Sequence, residues 1–254
     1  MAKYLKVTGQ LNRFFKRVNE LTQRELNACS TFYQVEMISR KKSAEYIWNH
    51  MANARLFTRE QDYWNDLMGQ IPANGLLFEF GVYKGRSINY LAEQLNKKGD
   101  RRRIYGFDSF LGMPNKPRIQ GADKNRYDLK GIMPVVLPNV NLVKGRVEDT
   151  FFTFMENLKL KDKSIAYIHF DFNQYEVTKY ILEYVLPLLK KGTIIDFDEL
   201  LGYVDWHENE FKAMMETIGT TCEFEHVAFC EPVGSASSEI KSAIKIKRLY
   251  TTHR

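Results

Sequence analysis

From Pro72 onward, short apolar runs alternate with segments whose apolar positions recur every three to four residues. The runs predict strands at Leu76–Phe80, Arg103–Phe107, Val140–Val143, Ile165–Asp171, Thr193–Asp198, Phe224–Phe229 and Ile240–Lys247. Between them, helical spacing fits Ser87–Asn96, Glu176–Leu189 and Glu208–Ile218. Strands alternating with helices at this interval predict an α/β domain with a doubly wound, mainly parallel sheet. Residues 1–70 read differently. They hold no proline and, before Gly69, only Gly9, and Leu11, Phe14, Phe15, Val18 and Leu21 fall at helical spacing. Thr58-Arg59-Glu60-Gln61 has the capping-box form and predicts a helix through Trp64 and Leu67. The expected organisation is therefore a helical N-terminal arm or cap, 1–70, followed by one domain, 71–254. Met113–Asn139 carries four of the seven prolines without clear periodicity, which suits a lid or substrate-binding insertion.

Composition narrows the class. With 254 residues and 44% hydrophobic positions, the chain can build one sizeable core. No apolar run reaches the ~18 residues of a membrane span, and Ile181–Leu189, the most apolar stretch, contains Glu183 and Pro187. The start, MAKYLKVTGQ, lacks an apolar signal core. Cys29, Cys222 and Cys230 form neither a disulfide framework nor a zinc pattern. The expectation is a cytoplasmic protein with no membrane partner. The net charge of +6 comes largely from lysines and arginines before the strands, as at Lys97–Arg103, Lys159–Lys163 and Lys190–Lys191. In an open parallel sheet that edge lies opposite the ligand-binding edge, so nucleic acid is not an expected partner.

Leu76-Leu77-Phe78-Glu79-Phe80-Gly81-Val82-Tyr83-Lys84-Gly85-Arg86-Ser87 carries the main chemical signal. It runs from a strand through a G-x-x-x-G turn into a helix. The dinucleotide fingerprint needs a central glycine that is missing, and the P-loop needs one more residue and a Lys-Ser/Thr pair. The first motif of S-adenosylmethionine (SAM) methyltransferases fits. Asp108 ends the next strand, 23 residues after Gly85, where a carboxylate accepts ribose hydroxyls; a turn or cap role is the alternative. The third strand ends in Val143–Thr150, where backbone and an acidic side chain are placed to meet adenine.

With EFGVYKGRSINYLAE, YGFDSFLGMP, YDLKG, NVNLVKGRVEDTF, IHFDFNQYEVT, KKGTIIDFDEL and GYVDWHENEFKAMMETI, residues 72–247 resemble the macrocin O-methyltransferase family of class I SAM-dependent methyltransferases. The resemblance implies a Rossmann-like seven-stranded sheet with an antiparallel last strand. It also implies methyl transfer to a small-molecule hydroxyl, of sugar or natural-product type, with a divalent metal; all-oxygen ligands favour Mg2+, with Ca2+ or Mn2+ open, over zinc. Carried over, Glu79, Gly81, Gly85 and Ser87 would line the methionine end of SAM. Asp108 would hold the ribose beside Ser109 and Phe110, and Gly145, Val147 and Glu148 would face adenine. Asp171, Asp198 and Glu199 match the metal positions. The sequence departs from the family's D-x-D-x-Y at Asp171-Phe172-Asn173-Gln174-Tyr175, and from Asp-Asp at Asp198-Glu199.

Beside Asp171 and Asp198, His207 is a catalytic candidate as general base. Asp196, on the same strand face as Asp198, suits either support of that site or a buried pairing. His169 reads as a hydrogen-bonded core histidine, and Tyr203 and Trp206 as aromatics that either pack or stack on an acceptor. A homodimer through part of residues 1–70 is expected. The competing functions are a non-catalytic SAM-binding or partner-binding protein, and a methyltransferase acting on nitrogen or RNA.

Overall fold

The computed structural model describes residues 30–113, 127–158, 163–231 and 239–250. The expected helical positions Leu11–Leu21, part of the expected lid and the turn Gly234–Ser238 lie outside them. The chain runs α1 (Thr31–His50), β1 (Arg55–Phe57), α2 (Glu60–Met68), β2 (Leu76–Phe80), α3 (Arg86–Lys97), β3 (Ile104–Asp108) and β4 (Val140–Lys144). It continues α4 (Val147–Asn157), β5 (Ile165–Phe170), α5 (Tyr175–Val185), β6 (Ile194–Leu201), α6 (Glu210–Thr221), β7 (Cys222–Cys230) and β8 (Ile240–Leu249). One sheet takes the order β1-β7-β8-β6-β5-β2-β3-β4. Only β8 runs antiparallel to its neighbours, so the antiparallel last strand is as expected.

The sheet has eight strands rather than seven. The extra one, β1, pairs in parallel with β7 through Arg55↔Ala228 to Phe57↔Cys230. Three residues are too short for periodicity to reveal, and this strand falls within the stretch expected to be helical arm. The capping box is not formed either. Helix α2 starts at Glu60 behind an extended Arg59, with no side-chain cap. Helix α5 stops at Val185, short of the expected Leu189, and Leu186–Leu188 turns as a 3-10 segment containing Pro187. A proline has no N–H to continue the α-helical ladder.

Two helical layers cover the sheet. Phe151 and Met155 of α4, Ile181 and Leu182 of α5, and Met214 and Ile218 of α6 fill one face. Tyr63, Trp64 and Leu67 of α2, with Ile88, Leu91 and Leu95 of α3, fill the other. Strand alternation then puts two contrasting rows at the same height. On the α4–α6 face, Phe107, Phe80, Phe170 and Phe197 occupy paired positions on β3, β2, β5 and β6. Their rings stack at centroid distances of 5.1, 5.5 and 5.3 Å. Each fully buried phenylalanine contributes about 1.5–3 kcal/mol. One residue earlier, on the α2–α3 face, Glu79, His169 and Asp196 pair across β2, β5 and β6. All three are fully buried. A polar row in a sheet interior must satisfy itself, and α2 supplies the missing donor. The Tyr63 hydroxyl donates to Asp196 at 2.5 Å, and Tyr167 donates to its other oxygen at 2.8 Å.

Candidate active site

The candidate site is built where β2, β3 and β5 end and where β6, after Phe197, leaves its pairing with β5. After β2, the backbone turns through Gly81, Tyr83 and Gly85 at φ 89°, 48° and 77°. Gly81 N–H donates to Phe107 C=O at 2.9 Å, and Asp171 N–H to Phe80 C=O at 2.8 Å, so the turn leaves between two neighbouring strand ends. A Cβ on Gly81 would sit 2.0 Å from the Asp171 carbonyl oxygen. Gly85 is more open: its nearest neighbours would be Asn89, Val136 and Pro134 at 3.3–3.6 Å. The two glycines thus serve different ends, Gly81 close strand approach and Gly85 the entry into α3.

Asp108 ends β3 beneath this turn. Its Oδ2 accepts from the N–H groups of Val82 and Tyr83 at 2.9 and 2.8 Å, and its Oδ1 from Phe110 N–H at 2.7 Å. The carboxylate therefore fixes the turn, the role weighed as the alternative to ribose binding. Ser109 accepts from Leu111 N–H, and Phe110 is fully buried at φ 58°. Gly145 follows β4 at φ 144°, Val147 is buried, and Glu148 is paired with Arg146 at 2.7 Å. The described part of the Met113–Asn139 segment folds back toward the turn. Asn89 holds it, donating to Val135 C=O and accepting from Leu137 N–H. Leu111, Ile132, Met133 and Val135 expose apolar surface there.

Glu79 and Ser87 come together, but below the surface. Ser87 Oγ donates to Glu79 Oε1 at 2.9 Å, and His169 Nδ1 lies 3.1 Å from Oε2. Burial raises the Glu79 pKa, partly offset by His169 and Ser87. Asp196 is likewise raised by burial, against the pull of His169 and the two tyrosines. Burial alone would keep His169 neutral, yet Asp196, Asp198 and Glu79 outweigh it and hold its pKa well above the ordinary range.

Asp171 and Asp198, two of the expected metal ligands, are brought together. Their carboxylate oxygens and a ring nitrogen of His169 lie within 4.8 Å of one another. His169 Nε2 is buried, lacks a hydrogen-bond partner, and sits 3.5 Å from Asp198 Oδ1. Glu199 is not in this group. Its pKa is raised well above the usual carboxylate range by burial and by Glu239, Asp198, Asp171 and Glu210. Burial and the Asp198 charge raise the Asp171 pKa as well. Asp198 moves the other way: the Lys241 ammonium and His169 overcome its burial and hold it ionised. Two carboxylates and a buried imidazole nitrogen suit a divalent cation that displaces the proton from that nitrogen, and the imidazole extends the fit from Mg2+ toward Mn2+.

His207 lies on the 3-10 turn Trp206–Glu208, outside that group, with Nε2 3.9 Å from Glu208. Trp206 and Tyr203 are buried, Trp206 packing on Tyr46 and Phe211. Asn173, at φ 46°, accepts from the Tyr203 hydroxyl at 2.7 Å and donates its N–H to Glu210 Oε1 at 3.2 Å.

Four residues that sequence reasoning did not single out for the site complete it. Lys241 of β8 is ion-paired with Asp198, and with Glu60 at 3.1 Å. Glu60 also binds Arg86 at 2.6 Å. Glu210 is fully buried, its Oε2 unpartnered and its pKa pushed up to about 8 by burial and then by Asp198 and Asp171. Only a lysine alternating with buried positions in Ile240-Lys241-Ser242-Ala243-Ile244 carries any sequence signal.

Comparison with known proteins agrees with this architecture. Residues 78–200 match a family model described as a methyltransferase domain. The crystal structure of the calicheamicin methyltransferase CalS11 aligns over 89% of this chain and 91% of its own, at 24% identity and TM-score 0.52. An O-methyltransferase from Bacillus cereus in complex with SAH aligns over 84% and 91%, at 17% identity and TM-score 0.50. Both likenesses establish a shared fold. No curated protein matches the sequence. Among the described residues, no helix is long and apolar enough to cross a membrane.

Proposed function

We propose that this chain transfers the methyl group of SAM to a hydroxyl of a small molecule of sugar or natural-product type. The observation that carries the reading is one of placement. The glycine turn pinned on Asp108 and the Asp171–Asp198–His169 group lie side by side at one edge of the sheet, after the last β2–β3 pair and at the last β5–β6 pairs. The methyltransferase-domain match, the SAH-bound O-methyltransferase and the calicheamicin methyltransferase support it. So does the resemblance to the macrocin O-methyltransferases.

Bound at this edge, SAM would supply an electrophilic methyl group on a sulfonium. The chain's part is to orient the acceptor oxygen and lower the cost of its charge as it attacks. Asp171 is the proton acceptor best suited to the hydroxyl. It stands at the strand end, and without a cation its raised pKa brings it nearer neutrality than an ordinary carboxylate. Asn173 cannot take a proton, and Asp198 is held ionised by Lys241. A divalent cation, Mg2+ or Mn2+, would be held by Asp171, Asp198 and His169 Nε2 and would stabilise negative charge on the acceptor oxygen. The exposed apolar side chains Leu111, Ile132, Met133 and Val135 offer a surface for the acceptor's carbon skeleton.

The test is incubation with methyl-labelled SAM and hydroxyl-bearing acceptors, including nucleotide sugars and glycosylated natural products, followed by product analysis. Label in an alkali-stable methyl ether supports the reading. Label in an N-methyl group or in RNA replaces it with one of the other methyltransferase classes.

A further inference from the structure

Lys241 occupies an unusual position for a lysine. Its side chain is only 8% exposed, and it lies at the start of β8, directly opposite Cys230, at the edge where the parallel strands end. Its ammonium faces two carboxylates, Asp198 and Glu60. Burial alone would favour the neutral amine, but Asp198, Glu60 and Asp171 keep it charged. Glu60 is in turn held by Arg86, whose guanidinium stacks over Trp64. The contacts form a circuit: Arg86, Glu60, Lys241, Asp198, His169, Glu79 and Ser87. It opens and closes on adjacent residues at the start of α3.

In this circuit Asp198 is shared. It belongs to the donor group with Asp171 and His169 Nε2, and it also carries the Lys241 ammonium. A divalent ion on Asp198 would place two more positive charges beside that ammonium, and like charges at such range repel strongly in a buried site. The same carboxylate cannot serve both cations well. Glu60 offers the ammonium a second partner already within 3.1 Å.

We propose that Lys241 is a tethered competitor for the divalent cation at Asp198, and that Glu60 is the seat it keeps when the cation binds. Lys241 is a positioning residue in this account: it sets whether Asp198 is available, without touching the acceptor. The inference rests on the cation site of the proposed function, while cofactor binding is independent of it. It makes an unusual demand, that removing a buried charged side chain should improve binding.

The experiment is Mn2+ titration, read by electron paramagnetic resonance of the free ion, on the full chain and its Lys241→Met, Glu60→Gln and Lys241→Met/Asp198→Asn variants. Each variant is first checked for S-adenosylhomocysteine binding by calorimetry. Lys241→Met is expected to bind Mn2+ at least tenfold more tightly than the unaltered chain. Glu60→Gln, which removes the second seat, is expected to bind it more weakly, and the double variant to lose the gain. Unchanged or weaker binding in Lys241→Met would overturn the proposal, as would tight binding that survives Asp198→Asn. If Lys241→Met does not fold, Glu60→Gln decides alone, and unchanged Mn2+ affinity there overturns it. Retained S-adenosylhomocysteine binding beside a failed Mn2+ result would discard the competition and leave the methyltransferase reading standing.

Discussion

Gly81 and Gly85 carry one motif, yet alanine at each should have very different consequences. At Gly81 a Cβ would lie 2.0 Å from the Asp171 carbonyl oxygen and 2.7 Å from its carbon. Relief requires the end of β2 to move more than ~1 Å from β5, since such atoms rest near 3.3 Å. The bonds there, from Asp171 N–H to Phe80 C=O and from Gly81 N–H to Phe107 C=O, would be stretched or lost. Each costs about 1–3 kcal/mol when its groups stay buried. Left-handed backbone adds about 1–2 kcal/mol for a residue with a Cβ. Gly81→Ala should therefore cost about 3–8 kcal/mol, a large part of the ~5–15 kcal/mol of a typical domain. At Gly85 the nearest contact is the movable end of Asn89 at 3.3 Å, leaving only the backbone cost, about 1–2 kcal/mol. Urea unfolding reads the difference directly. With a slope of about 3 kcal/mol per molar, the midpoint should fall by about 1–3 M for Gly81→Ala and by about 0.5 M for Gly85→Ala. Equal shifts, or a larger one at Gly85, would refute the division of labour.

Two further outcomes follow from the buried acids. Glu210 has a folded-state pKa of about 8 against an ordinary 4.5, so its contribution is fully present below pH 4.5 and is lost as pH rises toward 8. Glu210→Gln should gain on the unaltered chain across that window, by about 3 kcal/mol at pH 7 as an upper bound; a pH-independent gap in urea midpoints would contradict this. Asp196→Ala strands two hydroxyls, of Tyr63 and Tyr167, and should cost about 2–6 kcal/mol, while Tyr63→Phe strands one oxygen of Asp196 and should cost about half as much, about 1–3 kcal/mol. Similar losses for the two substitutions would show that Asp196 is not the shared acceptor.

The parts legible in the sequence were those written locally. Seven strands announced themselves as apolar runs, and Leu76–Phe80 matches the strand residue for residue. The G-x-x-x-G turn and Asp108 were equally visible, because a strand end, a glycine and an acid at fixed spacing are local signals. Strand β1 was hidden by its three-residue length, and its partner β7 lies more than 160 positions later. Helix α4 has a faint local signal, Val147, Phe151 and Met155 recurring every fourth residue, and its first turn coincides with the residues expected to face adenine. The chemistry of the site was hardest to see. His169 is a core histidine bonded to Glu79, as its strand position leads one to expect, but its second nitrogen reaches the carboxylate group. Lys241 and Glu60 meet Asp198 only because β8 returns antiparallel beside β6 and α2 lies over the sheet edge. No spacing along the chain encodes that encounter.

In the proposed function, SAM sits on the turn held by Asp108, at the ends of β2 and β3. The most direct test is calorimetric titration of S-adenosylhomocysteine into the full chain and into a folded Asp108→Ala variant. The account predicts one site per chain with micromolar or tighter affinity, weakened about tenfold or more in the variant. That loss corresponds to about 1.5–3 kcal/mol for a charge-assisted hydrogen bond and the turn it orders. No binding to the unaltered chain, or undiminished affinity in folded Asp108→Ala, would contradict it.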